Sequence, residues 1–282
     1  VEYLFIPFYT FRNQGLTGYG RISFNIRPYN NLIRTASLTL EGEQFGAPGN
    51  QNYRRAKIGL DLGFRPHDLI DPLFHKVSGY WIVASDLRQI EELLPAKMRS
   101  FVQIGYNLER PGLINPFNLL VSSESGRSYH KASLDFNYTL SYYGKKRGLG
   151  IRFYTGAMLK DDASDHFCSL SASGRSGNEQ YLYQGLYPDR FGEFGTSFWS
   201  RQMDLSEGGL VSPVNDALGY SRWLVSLSIT SSLPGRSDRI PVKPFVNILL
   251  NDHGPETARD SPLFFEAGIK AGIWNFFEIY LP

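Results

Sequence analysis

Residues 131–143 read KASLDFNYTLSYY, and polar and apolar side chains alternate along the stretch. Alternation has the period of a β-strand, in which successive side chains point to opposite faces of the sheet. The same period recurs along the whole chain, for example in residues 21–27, 56–65, 102–109, 223–230 and 263–273. The sequence therefore predicts an all-β fold whose strands each have one apolar and one polar face.

The alternating segments number about twelve to fourteen, and most are about 9 to 14 residues long, whereas strands in globular proteins are usually about 5 to 6 residues. Turn-forming clusters such as GKKRG (144–148) and LPGR (233–236) separate them. One segment, SDLRQIEELLPAKM (85–98), has apolar residues at helical spacing and predicts a single short helix within a loop. No linker or shift in composition marks a boundary, so we expect residues 1–282 to form a single domain.

Alternation alone does not say which face is inside. A soluble β-sandwich buries the apolar face against a second sheet, whereas a transmembrane β-barrel turns it toward lipid. Strand length favours the barrel, because a tilted membrane strand needs about 9 to 11 residues. Aromatic clusters near strand ends, as in residues 142–143 and 274–280, are typical of membrane interfaces. We therefore predict an antiparallel transmembrane β-barrel of about 12–14 strands, with a soluble β-sandwich as the alternative.

The polar face carries charges of both signs between glycine and serine residues, which is typical of a crowded barrel interior. This pattern predicts that the following charged residues face the lumen: Lys57, Asp61, Lys131, Asp135, Glu266 and Lys270. Cross-strand pairing in a filled interior is the simplest role for them, and a selective pore is the alternative. On the opposite face, the residues predicted to contact lipid are Leu134, Phe136, Leu140, Val225, Leu227 and Ile229.

Composition and motifs exclude several functions. The formal net charge is only +2 and the basic residues are scattered, so we expect no binding to nucleic acid. The single cysteine, Cys168, cannot form an intrachain disulfide. No arrangement of residues predicts a catalytic site, a metal site or a cofactor, and the acidic stretch KDDASDH (160–166) is most simply a solvated turn.

Three segments in the last third of the chain resemble a known protein family: LYQGLYPDRFGEFGTSFWSRQMDLSEGGLVSPVNDALGYSRW (182–223), VKPFVNILLND (242–252) and FFEAGIKAGIWNFFEIYLP (264–282). They resemble the C-terminal region of large bacterial aminopeptidase-N-like zinc metallopeptidases, the gluzincins. In that family a peptidase portion is followed by a β-rich region that looks like an outer-membrane barrel. The resemblance implies that this chain is a fragment of a longer protein.

The resemblance also implies a function. We expect a protein of the bacterial outer membrane that contacts the lipid bilayer and lipopolysaccharide. It would act as a membrane anchor, and as a passage or docking platform, for a peptidase-like domain or a partner complex. The alternatives are an autonomous outer-membrane channel or transporter and a soluble β-sandwich binding module.

The zinc-binding His-Glu-x-x-His motif of the family is absent here. None of the five histidines lies four residues from another, and none is followed by glutamate. No zinc ligand can therefore be assigned to any residue of this chain. Any peptidase chemistry would belong to a zinc peptidase domain outside it, and the sequence leaves open whether the chain takes part in an enzyme.

Overall fold

We describe the protein from a computed structural model. The described residues are 2–10, 15–26, 32–47, 51–68, 70–87, 97–127, 129–142, 148–161, 170, 172, 175–176, 203–204, 207–210, 221–232, 242–252, 263–273 and 277–281. All regular secondary structure in these ranges is β-strand, which confirms the predicted all-β fold. No helix within them is long and apolar enough to cross a membrane.

The described ranges contain fifteen strands. They are β1 (Glu2–Thr10), β2 (Gly15–Ile26), β3 (Ile33–Ala47), β4 (Gln51–Phe64), β5 (Phe74–Leu87), β6 (Lys97–Arg110), β7 (Phe117–Gly126), β8 (Tyr129–Ser141), β9 (Gly148–Asp161), β10 (Arg175–Ser176), β11 (Met203–Asp204), β12 (Trp223–Ser231), β13 (Val242–Asn251), β14 (Leu263–Ile273) and β15 (Phe277–Leu281).

Thirteen of the strands form one sheet in the order β1 to β9 followed by β12 to β15, and every neighbouring pair is antiparallel. Strands β10 and β11 pair separately. The large sheet is a continuous meander except for the long connection between β9 and β12. Among the described residues no pairing joins β1 to β15, so the sheet is not closed.

The helix predicted within residues 85–98, which the sequence ends at Pro95, is wrong at its start. Residues 85–87 belong to β5 and residues 97–98 belong to β6. The two strands pair as far as Asp86 opposite Lys97, so the hydrogen-bond ladder overrides the helical spacing of the apolar residues. The rest of the predicted helix lies within residues 88–96, which are outside the described residues.

The two faces of the sheet differ in an unusual way. One face, here called the polar face, carries buried polar side chains, including those of Ser23, Thr39, Glu41, Arg55, Lys57, Asp61, Glu124, Lys131, Ser226 and Asn247. The opposite face, here called the apolar face, exposes large apolar side chains, including those of Ile22, Phe24, Ile58, Leu60, Trp81, Val102, Ile104, Phe153, Leu250 and Phe265. Soluble proteins show the reverse arrangement, with apolar side chains buried and charged ones exposed.

Apolar side chains are also buried on the polar face. One cluster consists of Tyr154, Leu170, Ala172, Leu210, Leu224 and Leu249. Three of these six residues lie on strands of the sheet, and the other three belong to the connection between β9 and β12. Part of this connection therefore packs against the polar face of the sheet.

Candidate functional site

Buried ion pairs cross strands β2 to β4 on the polar face. Glu41 lies opposite Lys57 in the register, and its Oε2 atom is 3.5 Å from Lys57 Nζ. The other carboxylate oxygen of Glu41 is 3.6 Å from Arg21 Nε on β2. Two residues further along β3, on the same face, Glu43 Oε2 and Arg55 Nη2 are 2.6 Å apart. Alternating signs on β3 and β4 allow the charges of these two strands to be buried, because each has a partner of opposite sign. The Arg21 side chain on β2 is 47% exposed.

Asp61 joins β4 to β5 through two contacts. The Tyr80 hydroxyl donates a 2.6 Å hydrogen bond to Asp61 Oδ1, and Lys76 Nζ is 2.9 Å from the same oxygen. Lys57 Nζ lies over the Tyr80 ring, 3.9 Å from its centroid. The two charged residues predicted on β4 thus both contact Tyr80 on β5, and Asp61 also contacts Lys76.

Lys131 is 5% exposed at the start of β8. Its Nζ atom lies 3.5 Å from Glu124 Oε2 on β7 and 3.5 Å from Glu207 Oε1 in the connection between β9 and β12. Gln103 on β6 donates a 3.3 Å hydrogen bond to Glu124. A polar network therefore runs from β6 to β8 and onward to the connection.

Asp135 is held by β9. Arg152 Nη2 and Nε donate hydrogen bonds of 2.7 Å and 3.1 Å to Asp135 Oδ2, and Asn137 Nδ2 donates one of 2.9 Å to Oδ1. Glu266 accepts a 2.5 Å hydrogen bond from Asn247 on β13. Lys270 is half-buried on β14 opposite Lys243. The ion pairs of Lys131 and Asp135 therefore join different elements of the fold rather than positions four apart on one strand.

The six residues predicted to contact lipid all lie on the apolar face, as the register of β8, β9, β12 and β13 shows. Leu140 is exposed, and Leu134, Phe136, Val225, Leu227 and Ile229 are partly exposed. Phe136 stacks on Tyr138 with 6.3 Å between ring centroids and also contacts Phe117 on β7. These aromatic rings form a continuous apolar surface on this side of the sheet.

A cavity of about 440 Å³ opens on the polar face between β6 and β14. Its wall carries amides, hydroxyls and charged groups, among them those of Asn118, Asn137, Thr139, Arg152, Ser228 and Lys270. Gly209, from the connection between β9 and β12, also lines it. The cavity is therefore bounded both by the sheet and by the connection.

Sequence reasoning missed several residues of these networks. Glu41, Arg55, Tyr80, Glu124 and Arg152 lie on the polar face of alternating strands, so the period that identified Lys57 could also have identified them. Glu207 lies in the glycine-rich stretch SEGGLVSP (206–213), which has no strand period. Nothing local in the sequence indicates that this residue meets Lys131.

No group of three or more His, Cys, Asp or Glu side chains that could hold a metal ion occurs in the part of the chain that the structure describes. Residues 162–166 of the acidic stretch lie outside that part, as do residues 182–202 of the segment that resembles the metallopeptidases. The chain matches no model of a known protein family. A search of curated proteins found no significant match either.

Proposed function

We propose that this chain is an antiparallel transmembrane β-barrel of the bacterial outer membrane that anchors a peptidase-like domain or partner complex. The observation that carries the barrel is the reversed polarity of the sheet. Lys57 is 7% exposed and Lys131 is 5% exposed, whereas Ile104 is 57% exposed and Phe265 is 67% exposed. A lipid environment stabilises this arrangement, because the apolar face then contacts acyl chains and the charges stay inside.

A soluble β-sandwich fits the reversed polarity less well. It would need a second sheet over the apolar face, but the second sheet within the described ranges consists of β10 and β11, each of two residues. Exposed apolar patches of this extent are rare on soluble monomers. A lipid bilayer covers the apolar face without any additional protein.

Closure of the sheet follows from the membrane environment. Unpaired backbone groups along β1 and β15 would be costly in hydrocarbon, so the two edges must meet. The thirteen strands described here alternate in direction, so β1 and β15 run the same way, and direct pairing between these two strands would be parallel. Bacterial single-chain barrels have even strand numbers, and the known odd-numbered barrel is mitochondrial.

The role as an anchor rests on the resemblance of residues 182–282 to the membrane region of gluzincin peptidases. The partners would be the lipid bilayer, lipopolysaccharide and a peptidase domain that carries the His-Glu-x-x-His motif. A second candidate is an autonomous channel or transporter, which the cavity on the polar face favours. Both functions share the same barrel.

The barrel is tested by its need for detergent. The chain should extract from membranes only with detergent and should migrate as a heat-modifiable band on gels. A chain that stays monodisperse without detergent would rule out the barrel. Mass spectrometry of the protein isolated from native membranes tests the anchor separately, because it determines whether a peptidase portion is attached.

A further inference from the structure

Backbone hydrogen bonds join parts of the connection between β9 and β12 to one another and to Ser221, just before β12. Leu170 and Ser221 exchange two bonds, of 3.2 Å from Leu170 N and 2.9 Å from Ser221 N. Leu210 N donates a 3.2 Å bond to Ala172 O. Residues 170, 172 and 207–210 are therefore tied to each other and, through Ser221, to the start of β12. We call these residues the inner segment.

Apolar contacts seat the inner segment against the strands. Leu170 and Ala172 are fully buried, in one cluster with Tyr154, Leu224 and Leu249 of β9, β12 and β13. The strand surface makes room for Leu170 at Gly156, where an added Cβ would lie only 2.8 Å from Leu170 Cδ2. The complementary shapes indicate a specific packing position for this part of the connection.

Polar contacts hold the other end of the inner segment. Glu207 Oε1 lies 3.5 Å from Lys131 Nζ, and Asn247 Nδ2 donates a 3.3 Å hydrogen bond to Gly209 O. Glu207 and Gly209 have left-handed backbone conformations, with φ of 52° and 72°. Such a conformation is unusual for glutamate and persists where surrounding contacts determine the backbone.

The inner segment also forms the floor of the cavity. Gly209 lines the cavity together with Arg152, Ser228 and Asn247. An added Cβ at Gly209 would lie 2.7 Å from Arg152 Nη1, so the backbone is in close contact with the charged wall. Beyond this floor lie the buried apolar cluster and the ion pair between Lys131 and Glu207.

We propose that the inner segment is a plug, which closes the lumen between the cavity and the end of the barrel where Leu170 packs. This inference rests on the proposed barrel. A barrel of about thirteen strands is wide enough to contain a water-filled path unless its own chain fills it. The polar cavity then ends at the plug, so the resting barrel is an anchor rather than an open pore. The ion pair between Lys131 and Glu207 holds the plug against β8, and we call this ion pair the latch.

Conductance in planar lipid bilayers tests the plug. We expect the purified full chain to insert and remain nearly silent. The variant E207Q/G209V loses the latch charge and places a Cβ against Arg152, while every strand of the large sheet keeps its sequence. We expect it to raise the mean conductance by at least about tenfold, because a barrel interior that its own chain does not fill is a water-filled channel. Gly42→Val is the control for a glycine-to-valine change away from the inner segment, because residue 42 lies on the apolar face and a Cβ there meets no atom within 4 Å.

Chemical labelling provides a second measurement. In a Cys168→Ser background, the nearly isosteric change Ser226→Cys places a thiol at a buried position opposite Tyr154 and Leu249 of the cluster. This thiol should resist a charged, water-soluble reagent when the inner segment is unchanged and react several-fold faster in E207Q/G209V. Heat-modifiable migration identifies the folded barrels. If G209V prevents folding, the single variant E207Q, which keeps the shape of the side chain, carries the same test.

The outcomes separate the two proposals. A wild-type chain that inserts and conducts as well as the variant overturns the plug and leaves the barrel in place. A variant that is folded, inserted and as silent as the wild type also overturns the plug. Failure of every form to insert overturns the barrel, and the plug with it.

Discussion

The ammonium group of Lys57 on β4 lies 3.9 Å from the centroid of the Tyr80 ring on β5. The ring can occupy this position because the residue opposite Tyr80 in the register is Gly59. An added Cβ at Gly59 would overlap the ring. A cation over an aromatic face contributes about 0.5 to 2 kcal/mol, depending on how far it is desolvated. Glycine on the polar face thus makes room for a large side chain that binds a buried charge.

Replacement of Gly59 by alanine should destabilise the protein by about 1 to 3 kcal/mol, because the added methyl group overpacks the Tyr80 ring. Gly79→Ala on the neighbouring strand is the control, since a Cβ there meets nothing within 4 Å. The measurement is the free energy of unfolding in detergent micelles, followed by tryptophan fluorescence. An equal loss of unfolding free energy in the two variants would contradict the proposed packing of Tyr80 against Gly59.

Lys57→Met should cost about 3 to 5 kcal/mol of folding free energy, because it leaves the buried carboxylate of Glu41 without one of its partners. The double variant Lys57→Met/Glu41→Gln should recover part of this loss, since the second change removes the buried negative charge. Unfolding by guanidinium in lipid vesicles measures both variants. Strictly additive losses would show that the two residues are not coupled.

Ile104→Lys should impair membrane assembly, because the side chain lies on the apolar face near the middle of β6. A lysine facing lipid costs about 2 to 4 kcal/mol at the bilayer midplane. The neighbouring variant Gln103→Lys should assemble normally, since residue 103 lies on the polar face within hydrogen-bonding distance of Glu124. Folding into vesicles, followed on gels, compares them. The opposite ranking would assign the faces the other way round.

The carboxyl group of Asp71 gives a prediction about pH. It lies in the loop between β4 and β5, and hydrogen bonds from the Arg110 guanidinium lower the pKa of Asp71. A lowered pKa in the folded state means that the pair contributes stability above the unfolded pKa and loses it as the pH falls through the folded pKa. Carbon NMR of the labelled carboxylate should show the lowered pKa. Arg110→Gln should return it toward the ordinary value, and an unchanged pKa would exclude this cause.

Closure of the barrel predicts a short distance between the two edge strands. Spin labels at residues 6 and 279, on β1 and β15, should lie within a few times the strand spacing of about 4.8 Å in lipid nanodiscs. Labels at residues 6 and 121, on β1 and β7, provide a long reference distance across the sheet. Edge labels as far apart as the reference pair would show that the two edges do not meet.

The strands and their two faces could be predicted from the sequence because the signal is local. In residues 131–141 the side chains alternate, and an extended backbone turns every second side chain to the same face. The same logic placed Lys57 and Asp61 on the face that carries Lys131. It failed for Leu87, the first of the apolar residues at helical spacing in 85–98, which belongs to β5. Pairing with a neighbouring strand overrides a weak local preference.

By itself, the sequence determined the strand period, the all-β class and the division into a polar and an apolar face. Only the tertiary structure decided the partners: Lys131 meets Glu124 and Glu207, and Asp135 meets Arg152. It also brought Leu170 and Gly209 onto the polar face. The physical reason is that alternation is encoded within each strand, whereas register and packing depend on residues far apart in the chain. A glycine-rich stretch such as SEGGLVSP carries no local mark of the surface against which it packs.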